Sequence, residues 1–230
     1  AVSGANIDLT KLQKTINRLG AGYSTTFTNR QPAALLCTSW TSLSTLANCT
    51  ELTKIDLRVR GFGNAGYGNN ILDLSKLTLA TTYYDMYVYN LTVILPSSIT
   101  RIDTGVDSSV YLDARNCENI NSIYTHGSVN ALGILETAKS FSSIKTLYIK
   151  GWNDTQWAIA NMDKLAKCIN LEYLRLGSVD WSGINDRTSI DSLVNLEKLA
   201  NLEHLTVLEL YKMKVNDNDY SAIGKIKSLT

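Results

Sequence analysis

Two histidines and four cysteines are the side chains of this chain best suited to metal or nucleophilic chemistry. His126 and His204 stand far apart, and neither has a Cys, Ser or carboxylate at a spacing that would build a zinc site or a hydrolytic dyad. Gly61-Phe62-Gly63-Asn64-Ala65-Gly66 spells G-x-G-x-x-G after a strand-like run, as a dinucleotide site requires. The stretch that follows, Y-G-N-N-I-L-D-L-S, does not open as a helix, so no helix amino terminus would meet a pyrophosphate. Asn216-Asp217-Asn218-Asp219 resembles the start of a calcium loop, but Ala222 and Ser228 stand where its Gly and Glu are needed, which favours a helix cap. Three sequons, at Asn48, Asn90 and Asn153, are weak signals in an Asn- and Thr-rich chain, and Asn48 is expected near the core. No acid, base, nucleophile or metal set converges. The expectation is a non-enzymatic chain without catalytic residue, cofactor or metal.

The cysteines carry a different message. Cys117 opens the phrase N-C-E-N-I-N-S-I-Y (116–124), with apolar residues three and six positions on and a strand-like alternation after them. The phrase recurs as Cys49, Leu52, Ile55, Leu57 and as Cys168, Leu171, Leu174, Leu176, with Phe141 and Leu202 heading two variants. Stacked repeats would gather these thiols into a buried column. Units 50 or more residues apart are too distant for disulfides, so all four cysteines read as reduced, with Cys37 able to meet Cys49.

The elements that must position these residues change character along the chain. Ile7, Leu9, Leu12, Ile16 and Leu19 have helical spacing before Gly20, which predicts a cap helix over 7–19. Residues 33–46 suit a second short helix or an irregular first repeat. From 70 to 128 short alternating runs rich in β-branched and aromatic residues read as strands, Y-D-M-Y-V-Y among them. Beyond 128 amphipathic helices are expected at 131–141, 154–168, 189–202 and 217–229, the first three each followed by a strand phrase. Ile120, Ile144, Leu171 and Leu205 are 24, 27 and 34 residues apart, near the 20-to-29-residue range of strand-plus-helix repeats. The chain thus divides into an N-terminal helical cap and irregular first repeat (1–46), repeats (47–214) and a C-terminal helix, a cap or part of a further repeat (215–230).

A net charge of +1 gives no electrostatic call for nucleic acid, and no apolar run approaches the roughly 20 residues of a spanning helix. The expectation is a soluble chain that neither binds nucleic acid nor inserts in a membrane.

The phrases N-C-T-E-L-T-K-I-D-L, L-D-A-R-N-C-E-N-I-N-S-I and N-L-T-V-I-L-P-S-S-I-T-R-I resemble bacterial and phage leucine-rich repeats of the BspA-like, or treponemal, type over roughly residues 46–212. Cys, Phe or Leu replaces the usual Asn of the ladder. The resemblance implies an α/β fold, an irregular solenoid or arc with a parallel β-sheet on its concave side, used for adhesion and for protein or glycan recognition. It favours a bacterial surface, secreted or virion setting over the cytoplasm.

If each strand's apolar residues point inward, the residues between them face out. The outward set then contains Asp56, Arg58, Asp85, Tyr87, Tyr89, Tyr111, Asp113, Arg115, Tyr124, His126, Tyr148, Lys150, Tyr173, Arg175, Glu209 and Tyr211. It holds seven of the twelve tyrosines, which makes an aromatic surface the leading candidate for contact. The candidate partner-binding residues are Tyr87, Tyr89, Tyr111, Tyr124, His126, Tyr148, Lys150, Tyr173, Arg175 and Tyr211. Tyr also favours strands for its own sake, so enrichment alone does not establish a site. The expected function is binding of a protein or glycan, with a structural role in a virion or other assembly, or an intracellular scaffold, as alternatives.

Overall fold

The computed structural model describes residues 2–4, 18–21, 34–37, 44–50, 52–58, 70–86, 88–105, 109–126, 133–138, 140–150, 152–177, 196–211, 213 and 215–230. It is an α/β structure with few helices, built on a ten-stranded parallel sheet and a three-stranded one. The strands are β1 (Val2–Gly4), β2 (Arg18–Ala21), β3 (Ala34–Cys37), β4 (Lys54–Arg58), β5 (Asn70–Asp73), β6 (Thr82–Met86) and β7 (Tyr89–Ile94). They continue as β8 (Arg101–Thr104), β9 (Ser109–Asp113), β10 (Ser122–Thr125), β11 (Thr146–Ile149), β12 (Tyr173–Gly177) and β13 (Val207–Tyr211). The large sheet has the order β1-β3-β2-β4-β6-β8-β10-β11-β12-β13, and the small one β5-β7-β9.

Between β4 and β10 the chain alternates between the two sheets. Parallel neighbours need a crossover, and here β5, β7 and β9 supply it. After β10 helices take that place, Ile134–Thr137, Trp152–Ala160 with Met162–Leu165, and a 3-10 turn at Leu196–Leu199, and the helix Asp217–Ile223 follows β13. This last helix ends at Ile223, short of the 229 that the sequence pattern suggests. At the transition, the Thr137 hydroxyl accepts a 3.0 Å hydrogen bond from Ala114 N and lies 3.3 Å from the Leu112 carbonyl. It thereby occupies backbone groups along β9, at the border of the small sheet.

The three-residue spacing of the repeated phrase has a direct cause. The amide of Leu52 donates to the carbonyl of Cys49, Leu171 to Cys168, Leu205 to Leu202, Ile144 to Phe141, Ile99 to Pro96 and Ala80 to Leu77, at 2.9–3.2 Å. Each is a tight turn that leaves the residues at both of its ends facing inward. A second regularity marks the start of the later strands. Two successive amides share one carbonyl of the preceding unit: Asn121 and Ser122 on Thr100, Lys145 and Thr146 on Asn121, Glu172 and Tyr173 on Lys145, Thr206 and Val207 on Glu172. Ser98, Asn170 and Ser228 add side-chain bonds to carbonyls of the preceding turn, at 2.6–3.3 Å.

These bonds hold one register across the large sheet. Ile55, Tyr83, Ile102, Ile123, Leu147, Leu174 and Leu208 pair in an inward row, and Leu57, Asp85, Thr104, Thr125, Ile149, Leu176 and Leu210 in a second. Leu72, Val93 and Leu112 of the small sheet form a further buried row. Cys49, Cys117 and Cys168 are buried, but Leu77, Pro96 and Phe141 hold the same position in intervening units, so no continuous thiol column forms. Cys117 and Cys168 are free thiols, and the Cys117 thiol reaches the Pro96 carbonyl at 3.2 Å. The Cys37 side chain lies outside the described residues.

The amino-terminal reading needs correction. Arg18 and Leu19, assigned to a cap helix, open β2, and Ala34–Cys37 form a strand, which goes against the short helix but not against the irregular first repeat expected over 33–46, because β2 pairs with β4 and β3 with both β1 and β2. The rest of the predicted helix and the G-x-G-x-x-G stretch lie outside the described residues; Asn70–Asp73 after that stretch is a strand. Asn48 is exposed, not near the core. Asn216 caps the last helix as expected, accepting from Asp219 N at 3.0 Å, while the Asp219 carboxylate accepts from Asn216 N at 3.2 Å.

Ile123 sits at the centre of the first inward row and is fully buried. Ile123→Ala is expected to lower stability by about 2–5 kcal/mol in urea denaturation, with an unchanged native fold by circular dichroism; a loss within error of zero would contradict this packing. Burial pushes the Cys117 thiol up to about 11, helped by Asp113, and burial pushes Cys168 up to about 12. Thiolate is the reactive form, so iodoacetamide at neutral pH is expected to label neither thiol in the native protein and both in urea. Native labelling at the unfolded rate would show that these cysteines are open to solvent.

Candidate functional site

The outward side chains of the large sheet follow from the same register. Asp56, Tyr84, Asp103, Tyr124, Tyr148, Arg175 and Glu209 pair in one row, and Lys54, Thr82, Arg101, Ser122, Thr146, Tyr173 and Val207 in the row beside it. A parallel sheet is usually covered on both faces. Here β8, β10, β11 and β12 alternate between buried and partly or fully exposed residues, which gives one face to the core and leaves the other polar and aromatic.

On that face the rings and charges interlock across β8 to β13. The Arg101 guanidinium lies 4.2 Å from the Tyr124 ring centroid and donates to Asp103 at 3.1 Å. The Tyr124 and Tyr148 centroids are 5.7 Å apart, and His126 is 5.6 Å from Tyr148. Beyond Tyr148, the Arg175 guanidinium stands 4.8 Å from its centroid, and Tyr173 stacks on it at 6.5 Å with planes 3° apart. Arg175 also reaches the Tyr211 ring at 5.5 Å and pairs with Glu209 at 3.3 Å. Each cation is thus held by a ring and a carboxylate together, which limits its freedom, and Arg175 is the more enclosed, with 20 % of its side chain exposed against 45 % for Arg101.

Two titrating groups show the coupling. Burial by itself would raise the Asp103 carboxyl, but hydrogen bonds from His126 Nε2, 3.4 Å away, and from Arg101 outweigh it and hold the group below the usual carboxylate range. Burial, then the hydrogen bond with Glu209, raises the Tyr173 phenol. Among the described residues no group of three or more His, Cys, Asp or Glu side chains is gathered as metal ligands.

The structure brings together Tyr124, His126, Tyr148, Tyr173, Arg175 and Tyr211 from the expected set, and Lys150 follows β11 beside them. Tyr89 and Tyr111 are placed elsewhere. They belong to β7 and β9 of the small sheet, since alternate strands between β4 and β10 serve as crossovers. Tyr111 is exposed there, and Tyr87 lies outside the described residues. Asp85 is fully buried, not outward, because the unit runs Leu77, Ala80, Tyr83, Asp85 and turns both Tyr83 and Asp85 toward the core. Burial, then the nearby Asp85, pushes the Tyr83 phenol well above its usual range. Asp56 keeps its place in the outward row but is covered there, and Asp113 of the small sheet is buried against Arg115 at 2.6 Å. Sequence reading missed Tyr84, Arg101 and Asp103; counting three and six residues from Leu77 and from Pro96 would have found them.

Gly177 ends β12 at φ 143°, and a Cβ there would strike the Tyr211 carbonyl, so glycine lets β13 lie close enough for Tyr211 to join the face.

Because its folded-state value is depressed, Asp103 contributes stability above the ordinary aspartate value of about 3.9, and this is lost as pH falls through the folded value. Asp103→Asn is expected to lower the urea midpoint at neutral pH and to converge on the parent protein near pH 2. A gap that stays constant across that range would remove Asp103 as an ion-pair partner of Arg101 and His126.

No protein-family model matches the chain and no curated protein matches it, so its function is to be read from this face and from the register that builds it.

Proposed function

We propose that this chain is a non-enzymatic binding module of leucine-rich-repeat type, a solenoid whose large parallel sheet recognises a protein or glycan partner through its tyrosine- and arginine-bearing face. The observation that carries the reading is the continuous array from Arg101 through Tyr124, Tyr148 and Arg175 to Tyr211. Tyr and Arg dominate the energetics of protein interfaces because they combine broad contact area with directional polar groups and little flexibility once held. The steady return of the chain to the next strand, with tight turns, shared carbonyls and inward pairs recurring along it, supports the repeat reading. Attachment to a host or surface is the setting such a module would serve.

A structural role in a virion or other assembly is the second reading, favoured by β13 at the border of the large sheet. Leu174 and Leu176 of β12 are fully buried, whereas their partners Leu208 and Leu210 are only partly so, and Val207 and Tyr211 are exposed. A neighbouring subunit packed there would complete their burial. Sedimentation across a concentration series separates the readings: growing assemblies favour the second.

Tyr124→Ala combined with Tyr148→Ala is expected to weaken binding of partners recovered from the natural environment or from a glycan array by about tenfold or more, with the melting temperature little changed. An unchanged affinity in the folded variant would remove the aromatic face as the binding site.

A further inference from the structure

Resting on that reading of the face, we infer that its partner is an extended polypeptide segment lying across the strands, contacted through tyrosine hydroxyls and ring edges, and not a sugar stacked on a ring. Carbohydrate stacking needs an open aromatic face. Tyr124 has the Arg101 guanidinium 4.2 Å from its centroid on the β8 side and Tyr148 at 5.7 Å on the β11 side. Tyr148 in turn stands between Tyr124 of β10, with His126 just past that strand, and Tyr173 and Arg175 of β12. Each of these two central rings thus has a guanidinium over it and a further ring beside it, which hinders a sugar from stacking there. What such a row offers a ligand is a line of edges and phenolic hydroxyls, each able to donate and to accept. An extended chain presents N–H and C=O groups that the phenolic hydroxyls of Tyr124 and Tyr148 could bind.

Size and charge point the same way. Strands lie about 4.8 Å apart, so the strip from β8 to β13 spans about 19 Å, the length of roughly six extended residues. Arg101 and Arg175 are each compensated by a carboxylate of the face itself, Asp103 and Glu209. A partner is therefore selected by its polar backbone and shape more than by net charge.

The test selects binders from a displayed library of random linear dodecapeptides on the wild-type protein, with a glycan array run in parallel. Selected peptides are expected to lose about tenfold in affinity with Tyr148→Phe, which keeps the ring in its row and removes only one hydrogen-bonding group. Their affinity is expected to change only slightly between about 50 and 500 mM NaCl, since the cations are already paired. Thermal melting of Tyr148→Phe provides the check on folding. Peptides indifferent to both Tyr148→Phe and Tyr124→Phe, or no selected peptide, overturn the inference. A glycan retained by the wild type and lost with Tyr148→Ala overturns the inference while leaving the face as a binding site. Peptides and glycans that both ignore Tyr124→Ala with Tyr148→Ala overturn the inference and the underlying reading together.

Discussion

A single carbonyl that accepts from two successive amides of the next strand is the contact on which the rest of the large sheet depends. At Thr100, Asn121, Lys145 and Glu172 the acceptor belongs to one unit and both donors to the next. The pair of bonds determines where each new strand begins relative to the last. A slip of one residue would turn every inward side chain outward, so this local bond and the burial of two apolar rows enforce the same register. Ser98, Asn170 and Ser228 reinforce it with side-chain bonds to the preceding turn. Crossovers of quite different kinds, strands early and helices late, can then be accommodated without disturbing the sheet.

That tolerance explains the uneven second layer. Between β4 and β10 the connections are short and strand-like, and they pair with one another as the small sheet. Once the helix Ile134–Thr137 follows β10, Thr137 occupies backbone groups along β9 and the small sheet goes no further. The core remains continuous across this change, because Ile134 and Leu135 of the helix are buried just as Leu112 of β9 is.

The outward face is a by-product of the same spacing, and its chemistry comes from proximity. Strands about 4.8 Å apart bring side chains of adjacent units within reach of one another, so rings and guanidinium groups placed in neighbouring strands are forced into contact. Arg175 illustrates the result. It touches Tyr148, Tyr211 and Glu209, side chains contributed by the strands on either side of its own. In a face assembled this way the rings and cations already hold one another, the preorganisation from which the proposed binding would benefit.

Much of this was legible in the sequence. The Cys-x-x-Ile-x-x-Ile spacing revealed the repeated unit, since a tight turn followed by a strand must put those three residues inside; it also led correctly to the inward Ile123, Leu147 and Leu174 and to the outward Tyr124, Tyr148 and Tyr173. The Asn216 cap was equally plain, because its bonds are local. Where polar residues point inward the pattern misled. Tyr83 and Asp85 look like surface residues by type, and only their pairing with Ile55 and Leu57 of β4 shows that they face the core. Tyr111 and Tyr89 look equivalent to Tyr124 because alternation along a strand carries no information about which sheet the strand will join. The sequence by itself determined the unit and the inward or outward sense of each regular strand, because both are written in local spacing. Tertiary structure alone decided which strands lie side by side, and with that which tyrosines, arginines and carboxylates of different strands meet, because those contacts join residues some 20 to 36 positions apart on strands held by hydrogen bonds between backbones.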